Sequence, residues 1–162
     1  MDKAKSIQLL NRAVADELQA VHQYMYFHFH LADQGFAPLS ALFKRIAIQE
    51  MGHVEVLAER VLFLKGEVEM VPAGPVEKII ELDATLVRAM AMEEDAVHIY
   101  NQAALDCAAN ADSSSKAIFE RLVADEEAHF HQYEEQRDKI ERFGGSYLAL
   151  QSFGSAGPVP AE

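Results

Sequence analysis

A four-residue motif, Glu-x-x-His, occurs twice in this sequence and offers the side chains of a metal site. The two copies are Glu50–His53 and Glu126–His129. Residues three apart on an α-helix share one face, so each copy can present a carboxylate and an imidazole to one ion. One copy alone carries little weight, because a surface glutamate beside a histidine with other partners has the same pattern.

The register of the two copies gives them more weight. They lie 76 residues apart, and a further glutamate stands 33 residues before each copy. These are Glu17, before Glu50, and Glu93, before Glu126. The eight residues that begin at Glu17 and the eight that begin at Glu93 are identical at five positions. This pattern indicates the duplication of a helical hairpin.

One lone glutamate from each of two helices, with Glu-x-x-His from each of two others, is the pattern of di-iron and di-manganese carboxylate bundles. Four carboxylates inside a bundle would repel one another, and two divalent cations would neutralise them. Carboxylate and imidazole ligands together suit iron or manganese. By symmetry each ion takes one histidine and one lone glutamate, and the other two glutamates bridge. The predicted metal ligands, which are also the predicted catalytic residues, are Glu17, Glu50, His53, Glu93, Glu126 and His129.

Two tyrosines and two histidines lie near the lone glutamates in the sequence. Tyr24 and Tyr100 each follow a lone glutamate by seven residues, about 20° from the same helix face. A tyrosine there can donate a hydrogen bond to a ligand carboxylate, or it can be an ordinary core tyrosine. We predict that His22 and His98 lie on the outer face, away from the metal ligands.

The elements that must position these residues are four long segments with helical spacing. Glycine and proline between Gly66 and Val76 exclude a helix there, and this connection is long enough to cross a bundle. Gly66 stands in the usual place of a helix C-cap, and Asp112 can cap the start of the fourth segment. The prediction is therefore an all-α four-helix bundle with one long crossover, spanning residues 1–153. A partly disordered hinge between two hairpins is the alternative. The predicted helices run from about Lys5 to Gln34, Leu39 to Lys65, Glu77 to Ala109 and Ser113 to Phe143, with a short fifth from Tyr147 to Phe153, and residues 154–162 are predicted to be disordered.

Composition narrows the class of protein. The chain has 162 residues, half of them apolar, and a formal net charge of −12. That charge argues against a nucleic-acid binder and allows cationic partners. One cysteine, Cys107, excludes an internal disulfide and a cysteine zinc cluster. The sequence shows no signal peptide and no membrane span, so we expect a cytoplasmic protein.

The sequence resembles the bacterioferritins over about residues 6 to 152. The resemblance implies a hollow homo-oligomeric shell of 24 subunits, built from dimers, that oxidises Fe²⁺ with O₂ or H₂O₂ and stores ferric mineral. It also implies two iron ions per subunit, held by the six ligands above, and a ferredoxin or reductase for iron release. The matching stretches are Leu10–Arg12, Glu17–Tyr24, Ile48–His53, Glu59–Leu64 and Asp125–His129.

The resemblance assigns a second cofactor to Met51. In bacterioferritins a methionine at this position ligates a haem that is shared between two subunits. One feature departs from the family: some members carry a histidine and an aspartate where this chain has Arg45 and Gln49. An accessory iron site on the inner surface of the shell is therefore not expected.

Three alternatives share the ligand pattern. The first is a redox enzyme without storage, such as a rubrerythrin-like peroxidase or a manganese catalase. The second is a haem-free ferritin. The third is a non-enzymatic shell whose bundle only holds a fixed metal.

Overall fold

The computed structural model describes residues 1–153 as five α-helices. The predicted all-α bundle with one long crossover and a short fifth helix is confirmed. The segment 154–162, predicted to be disordered, lies outside the described residues. The helices are α1 (Lys3–Asp33), α2 (Ala37–Phe63), α3 (Leu82–Ala109), α4 (Ser113–Phe143) and α5 (Gly145–Phe153).

The crossover between α2 and α3 runs along α1. Asn11 Nδ2 donates to the Glu67 carbonyl at 2.9 Å near one end, and Gln34 Nε2 donates to the Ile80 carbonyl at 2.8 Å near the other. These anchors, Asn11 on α1 and Gln34 at its C-cap, are about 35 Å apart at the rise of an α-helix. The chain therefore returns the full length of the bundle, so α3 runs parallel to α2 and antiparallel to α4.

The start of α3 differs from the prediction. It begins at Leu82 and not at Glu77, because side chains of α1 hold the preceding backbone in an extended path. Gln23 accepts from the Glu77 amide at 2.7 Å and donates to the Glu77 carbonyl at 2.9 Å. Because Gln23 pairs with both the N–H and the C=O of Glu77, these two groups do not need the hydrogen bonds of a first helical turn.

Aspartates begin two of the helices. Asp2 accepts from the backbone of the first turn of α1, and Asp112 accepts from the Ser115 amide at 3.2 Å, as predicted for an N-cap. Asp112 also pairs with Arg60 at 2.7 Å. Burial would raise the pKa of this carboxyl, but hydrogen bonds from Ser115 and Arg60 lower the pKa to about 2. Asp112 thus fastens the start of α4 to α2.

The end of α2 corrects a second expectation. Lys65, and not Gly66, is the left-handed residue that ends the helix, with φ 69°. The Gly66 amide donates to the Val61 carbonyl at 3.0 Å. A Cβ on Gly66 would lie 2.8 Å from the Ile7 side chain, so glycine is required by close packing against α1.

The bundle has two apolar cores with a polar layer between them. One core includes Leu10, Leu57 and Phe119, and Cys107 is buried in it as a small apolar residue. The other includes Phe27 and further aromatic and aliphatic side chains. The predicted metal ligands occupy the polar layer between these cores. No helix within residues 1–153 has the length and apolar character that crossing a membrane requires.

Candidate metal centre

The four long helices bring all six predicted ligands together in the middle of the bundle. Each helix contributes its lone glutamate or its Glu-x-x-His pair from the face that points inward. None of the six is more than 8% exposed. Buried carboxylates at this density require a compensating charge. The six residues are Glu17 on α1, Glu50 and His53 on α2, Glu93 on α3, and Glu126 and His129 on α4.

One group of donors surrounds Nδ1 of His53. This nitrogen lies 2.8 Å from Glu50 Oε2, 3.2 Å from Glu126 Oε1 and 3.4 Å from Glu17 Oε1. One donor atom from each of the four residues lies within 4.8 Å of the others, which is compatible with one ion between them.

A second group surrounds Nδ1 of His129. Glu50 Oε1 lies 3.0 Å away, Glu126 Oε2 lies 3.1 Å away and Glu93 Oε2 lies 3.9 Å away. Its four donors also lie within 4.8 Å of one another. Glu50 and Glu126 belong to both groups through different oxygens, so each of these carboxylates can contact two ions at once.

Several donor atoms at the centre lack hydrogen-bond partners. Both oxygens of Glu50, Oε1 of Glu126 and Nδ1 of His53 are buried without a hydrogen bond of acceptable geometry in the described part of the chain. Buried polar atoms in proteins are normally satisfied. Atoms left in this condition fit ligands that a cation completes, and the chemistry of the donor set fits iron or manganese.

The pKa values of the ligands show that protons offset the negative charge of the centre when no cation is bound. Burial and the charges of Glu50 and Glu126 raise the pKa of the Glu17 and Glu93 carboxyls well above the ordinary range. Burial opposes protonation of His129, but the adjacent carboxylates of Glu126 and Glu50 raise its pKa to about 9. Protons therefore reduce the negative charge of the metal-free centre, and cations must displace them.

Burial and neighbouring charges also act in opposite directions on the pKa values of His53 and Glu126. Burial lowers the pKa of His53, but the carboxylates around its Nδ1 raise it overall. Burial raises the pKa of Glu126, but the hydrogen bond from His129 and the nearby His53 imidazole lower it to about 2. His53 and Glu126 are therefore both charged, and their attraction holds the Glu126 carboxylate in place between the two groups of donors.

Tyr24 and Tyr100 both reach the centre, each across the bundle. The Tyr24 hydroxyl, on α1, donates to Glu93 Oε1 on α3 at 2.6 Å. The Tyr100 hydroxyl, on α3, donates to Glu17 Oε1 on α1 at 2.8 Å. The two contacts are equivalent under the internal duplication. Each tyrosine therefore orients one lone glutamate.

Tyr133 was missed in the sequence analysis. It is fully buried, its ring centroid lies 5.6 Å from that of Tyr24, and its hydroxyl has no hydrogen-bond partner in the described chain. Tyr133 follows Glu126 by seven residues, the spacing that identified the other two tyrosines. The signal was present, but the corresponding residue after Glu50 is Leu57, so the repeat did not reveal it.

Other residues singled out in the sequence lie apart from the centre. Met51 is 58% exposed on α2 and does not join the ligands. His22 and His98 are exposed, as predicted for the outer face. Arg45 donates to Gln132 Oε1 at 2.6 Å, so its cationic head is bound to α4.

Two cavities lead to the centre from opposite faces of the bundle. A cavity of about 150 Å³ between α1 and α3 is lined by Asp16 and Asp95 and reaches Glu17 and Glu93. A second cavity, of about 550 Å³, lies between α2 and α4 and reaches both ligand histidines. The centre is thus buried, with a cavity lined by its ligands on each of two sides.

Comparison with known proteins supplies the family. The model of the ferritin-like domain matches residues 7–143. The bacterioferritin of Desulfovibrio desulfuricans is 38% identical over 153 residues, covering 91% of this chain and 82% of the relative. The chain belongs to the bacterioferritin family. The bacterioferritin of Rhodobacter capsulatus is 37% identical over 148 residues, covering 91% of each chain.

Solved bacterioferritins have the same fold as this family member. The Desulfovibrio desulfuricans structure, described with its diiron site in different catalytic states, matches with a TM-score of 0.92 and 34% identity. It covers 99% of this chain and 94% of its own. The Rhodobacter capsulatus structure, described with a metal-free dinuclear site and a haem iron, matches with a TM-score of 0.89 and 34% identity, over 100% of this chain and 99% of its own.

Proposed function

We propose that this protein stores iron and oxidises Fe²⁺ at a di-iron site built from its six buried ligands. The observation that carries the proposal is the pair of buried donor groups that share Glu50 and Glu126. Membership of the bacterioferritin family supports it, because a solved relative is described with a diiron site.

Each part of the chain has a definite task in this proposal. Glu17 and His53 hold one Fe²⁺, Glu93 and His129 hold the other, and the carboxylates of Glu50 and Glu126 bridge them. Oxidation of two Fe²⁺ to Fe³⁺ releases two electrons, which together with two protons reduce O₂ to H₂O₂ or reduce H₂O₂ to two water molecules. The buried donors exclude bulk water and keep the two ions at a fixed separation.

Access and assembly complete the proposal. Fe²⁺ enters through the α1–α3 cavity, where Asp16 and Asp95 supply negative charge. Oxidised iron collects inside a shell of 24 subunits built from dimers, and a reductase or ferredoxin releases it. We place the protein in the cytoplasm, since a lone buried thiol suits a reducing compartment. A particle of several hundred kilodaltons in gel filtration would support storage, and a small oligomer would favour a non-storage redox enzyme.

Haem binding is proposed at Met51. The side chain is 58% exposed beside Ile48, which is 57% exposed, so an apolar surface with a free thioether is present on α2. A Cβ at the adjacent Gly52 would meet nothing within 4 Å, so the surface is open. Met51 from each of two chains would hold the haem iron through its thioether, and the haem would supply electron-transfer chemistry there. We expect Met51→Leu to abolish the Soret band of the purified protein while Fe²⁺ oxidation continues.

The test of the proposal is Fe²⁺ oxidation by variants of the ligands. Glu17→Ala, Glu50→Ala and His129→Ala should each lose most of the initial oxidation rate. Glu94→Ala and Glu127→Ala are matched controls, because both glutamates are exposed neighbours of ligands in the sequence. Unchanged initial rates in all three ligand variants would refute the ferroxidase assignment.

A further inference from the structure

The internal duplication does not extend to the residues in the cavity on the outer side of the two ligand histidines. An offset of 76 residues relates His53 to His129, and it also relates Gln49 to Asp125. The mates therefore differ in charge, although both line the cavity between α2 and α4 that reaches the two histidines. One half of the centre has a carboxylate at this place and the other half has an amide.

Asp125 contacts the outer nitrogen of His53. Its Oδ2 lies 3.4 Å from Nε2, while Nδ1 on the other side of the ring faces the ligand carboxylates. The Arg121 Nε lies 3.7 Å from the same oxygen, and the Asp125 side chain is 40% exposed. The carboxylate thus lies between the imidazole and a surface cation.

His129 has no such partner. In residues 1–153, the carboxylates within 4.0 Å of its ring are those of Glu50, Glu93 and Glu126, and all three approach Nδ1. The mate of Asp125 on this side is Gln49, which is exposed and carries no charge.

A group that accepts the proton of the outer imidazole nitrogen fixes the tautomer and the ring orientation, and it makes the inner nitrogen a stronger ligand. A carboxylate does this better than an amide, because its negative charge strengthens the hydrogen bond. We propose that Asp125 is a positioning residue that makes the metal position at His53 the tighter of the two. This inference rests on the proposed function, since it requires the di-metal site to exist.

The experiment uses Co²⁺, which reports binding without a redox step. The full-length protein is crystallised with one Co²⁺ per chain, and anomalous diffraction at the cobalt edge gives the occupancy of each position. In the wild type we expect the position beside His53 to hold most of the Co²⁺. In the exchange variant Asp125→Gln/Gln49→Asp, which has the same composition and net charge, we expect the preference to move to the position beside His129.

Solution titration provides the second readout. In Asp125→Asn the position beside His53 should bind Co²⁺ about 10–100-fold more weakly, so the first Co²⁺ should bind with the lower affinity of the position beside His129, with two Co²⁺ still bound at saturation. In Gln49→Asp the Co²⁺ affinities of the two positions should become similar, because each ligand histidine then has a carboxylate beside its outer nitrogen. A wild type with equal occupancies, or an exchange variant with the wild-type preference, would overturn the inference. Co²⁺ at neither position would overturn the proposed metal site itself, and this inference with it.

Discussion

The hydrogen bond from Tyr24 to Glu93 can be removed by changing one atom. Tyr24→Phe deletes the hydroxyl that lies 2.6 Å from Glu93 Oε1, and both residues are no more than 2% exposed. Removing the donor leaves a buried carboxyl oxygen without its partner, which costs about 1–3 kcal/mol. We therefore expect the free energy of unfolding of the metal-free protein to fall by that amount. Because Glu93 also loses its orienting donor, we expect Co²⁺ affinity to fall about 10–100-fold.

Tyr133→Phe is the matched control for this variant. It makes the same substitution in a neighbouring buried ring, but the Tyr133 hydroxyl has no hydrogen-bond partner among the described residues. Its removal should change the unfolding free energy by less than about 0.5 kcal/mol or stabilise the protein. Urea unfolding at one fixed protein concentration and Co²⁺ titration measure both variants. Equal losses of stability in Tyr24→Phe and Tyr133→Phe would refute the assigned role of the hydrogen bond.

Three further predictions concern caps, packing and protons. The pKa of Asp112 is lowered to about 2, so the stability that this carboxylate contributes is complete above about pH 4 and is lost as the pH falls towards 2. Asp112→Ala should lower the free energy of unfolding by about 1–3 kcal/mol at pH 7, and the free energy of unfolding of the variant should depend less on pH between about 4 and 2. Gly66→Ala should destabilise the fold by about 1–3 kcal/mol, because the new Cβ would lie 2.8 Å from Ile7, whereas Gly52→Ala should be neutral or stabilising in thermal unfolding. The pKa of His129 is raised to about 9, so at pH 7 its imidazole carries a proton that a metal ion must displace. The affinity for Co²⁺ should therefore rise from pH 6 to pH 8. A Co²⁺ affinity that is constant over this range would contradict the prediction.

The internal duplication explains why so much of the centre was predictable. Glu17 and Glu93 have no motif of their own, and only the shared offset from the Glu-x-x-His pairs singled them out. The offset works because two equal hairpins place equal residues on equal helix faces. It could not reveal Tyr133, whose mate is Leu57, because that position obeys local packing and not the repeat.

The errors in the fold have a common physical cause. The late start of α3 depends on Gln23, which lies more than fifty residues away in the sequence and binds the Glu77 backbone. Likewise Gly66 is required by contact with Ile7 of another helix. Local spacing and propensity carry no information about such tertiary contacts, so the boundaries of the crossover could not be derived from them.

The most direct test of the di-iron ferroxidase is the stoichiometry of fast Fe²⁺ oxidation. Iron-free protein is loaded anaerobically with increasing Fe²⁺, mixed rapidly with O₂, and followed by absorbance. Because the two donor groups share Glu50 and Glu126, we expect the amplitude of the fast phase to rise linearly to about two Fe²⁺ per chain and then remain constant. A fast phase that saturates at another ratio, or no fast phase, would contradict a di-iron ferroxidase at this centre.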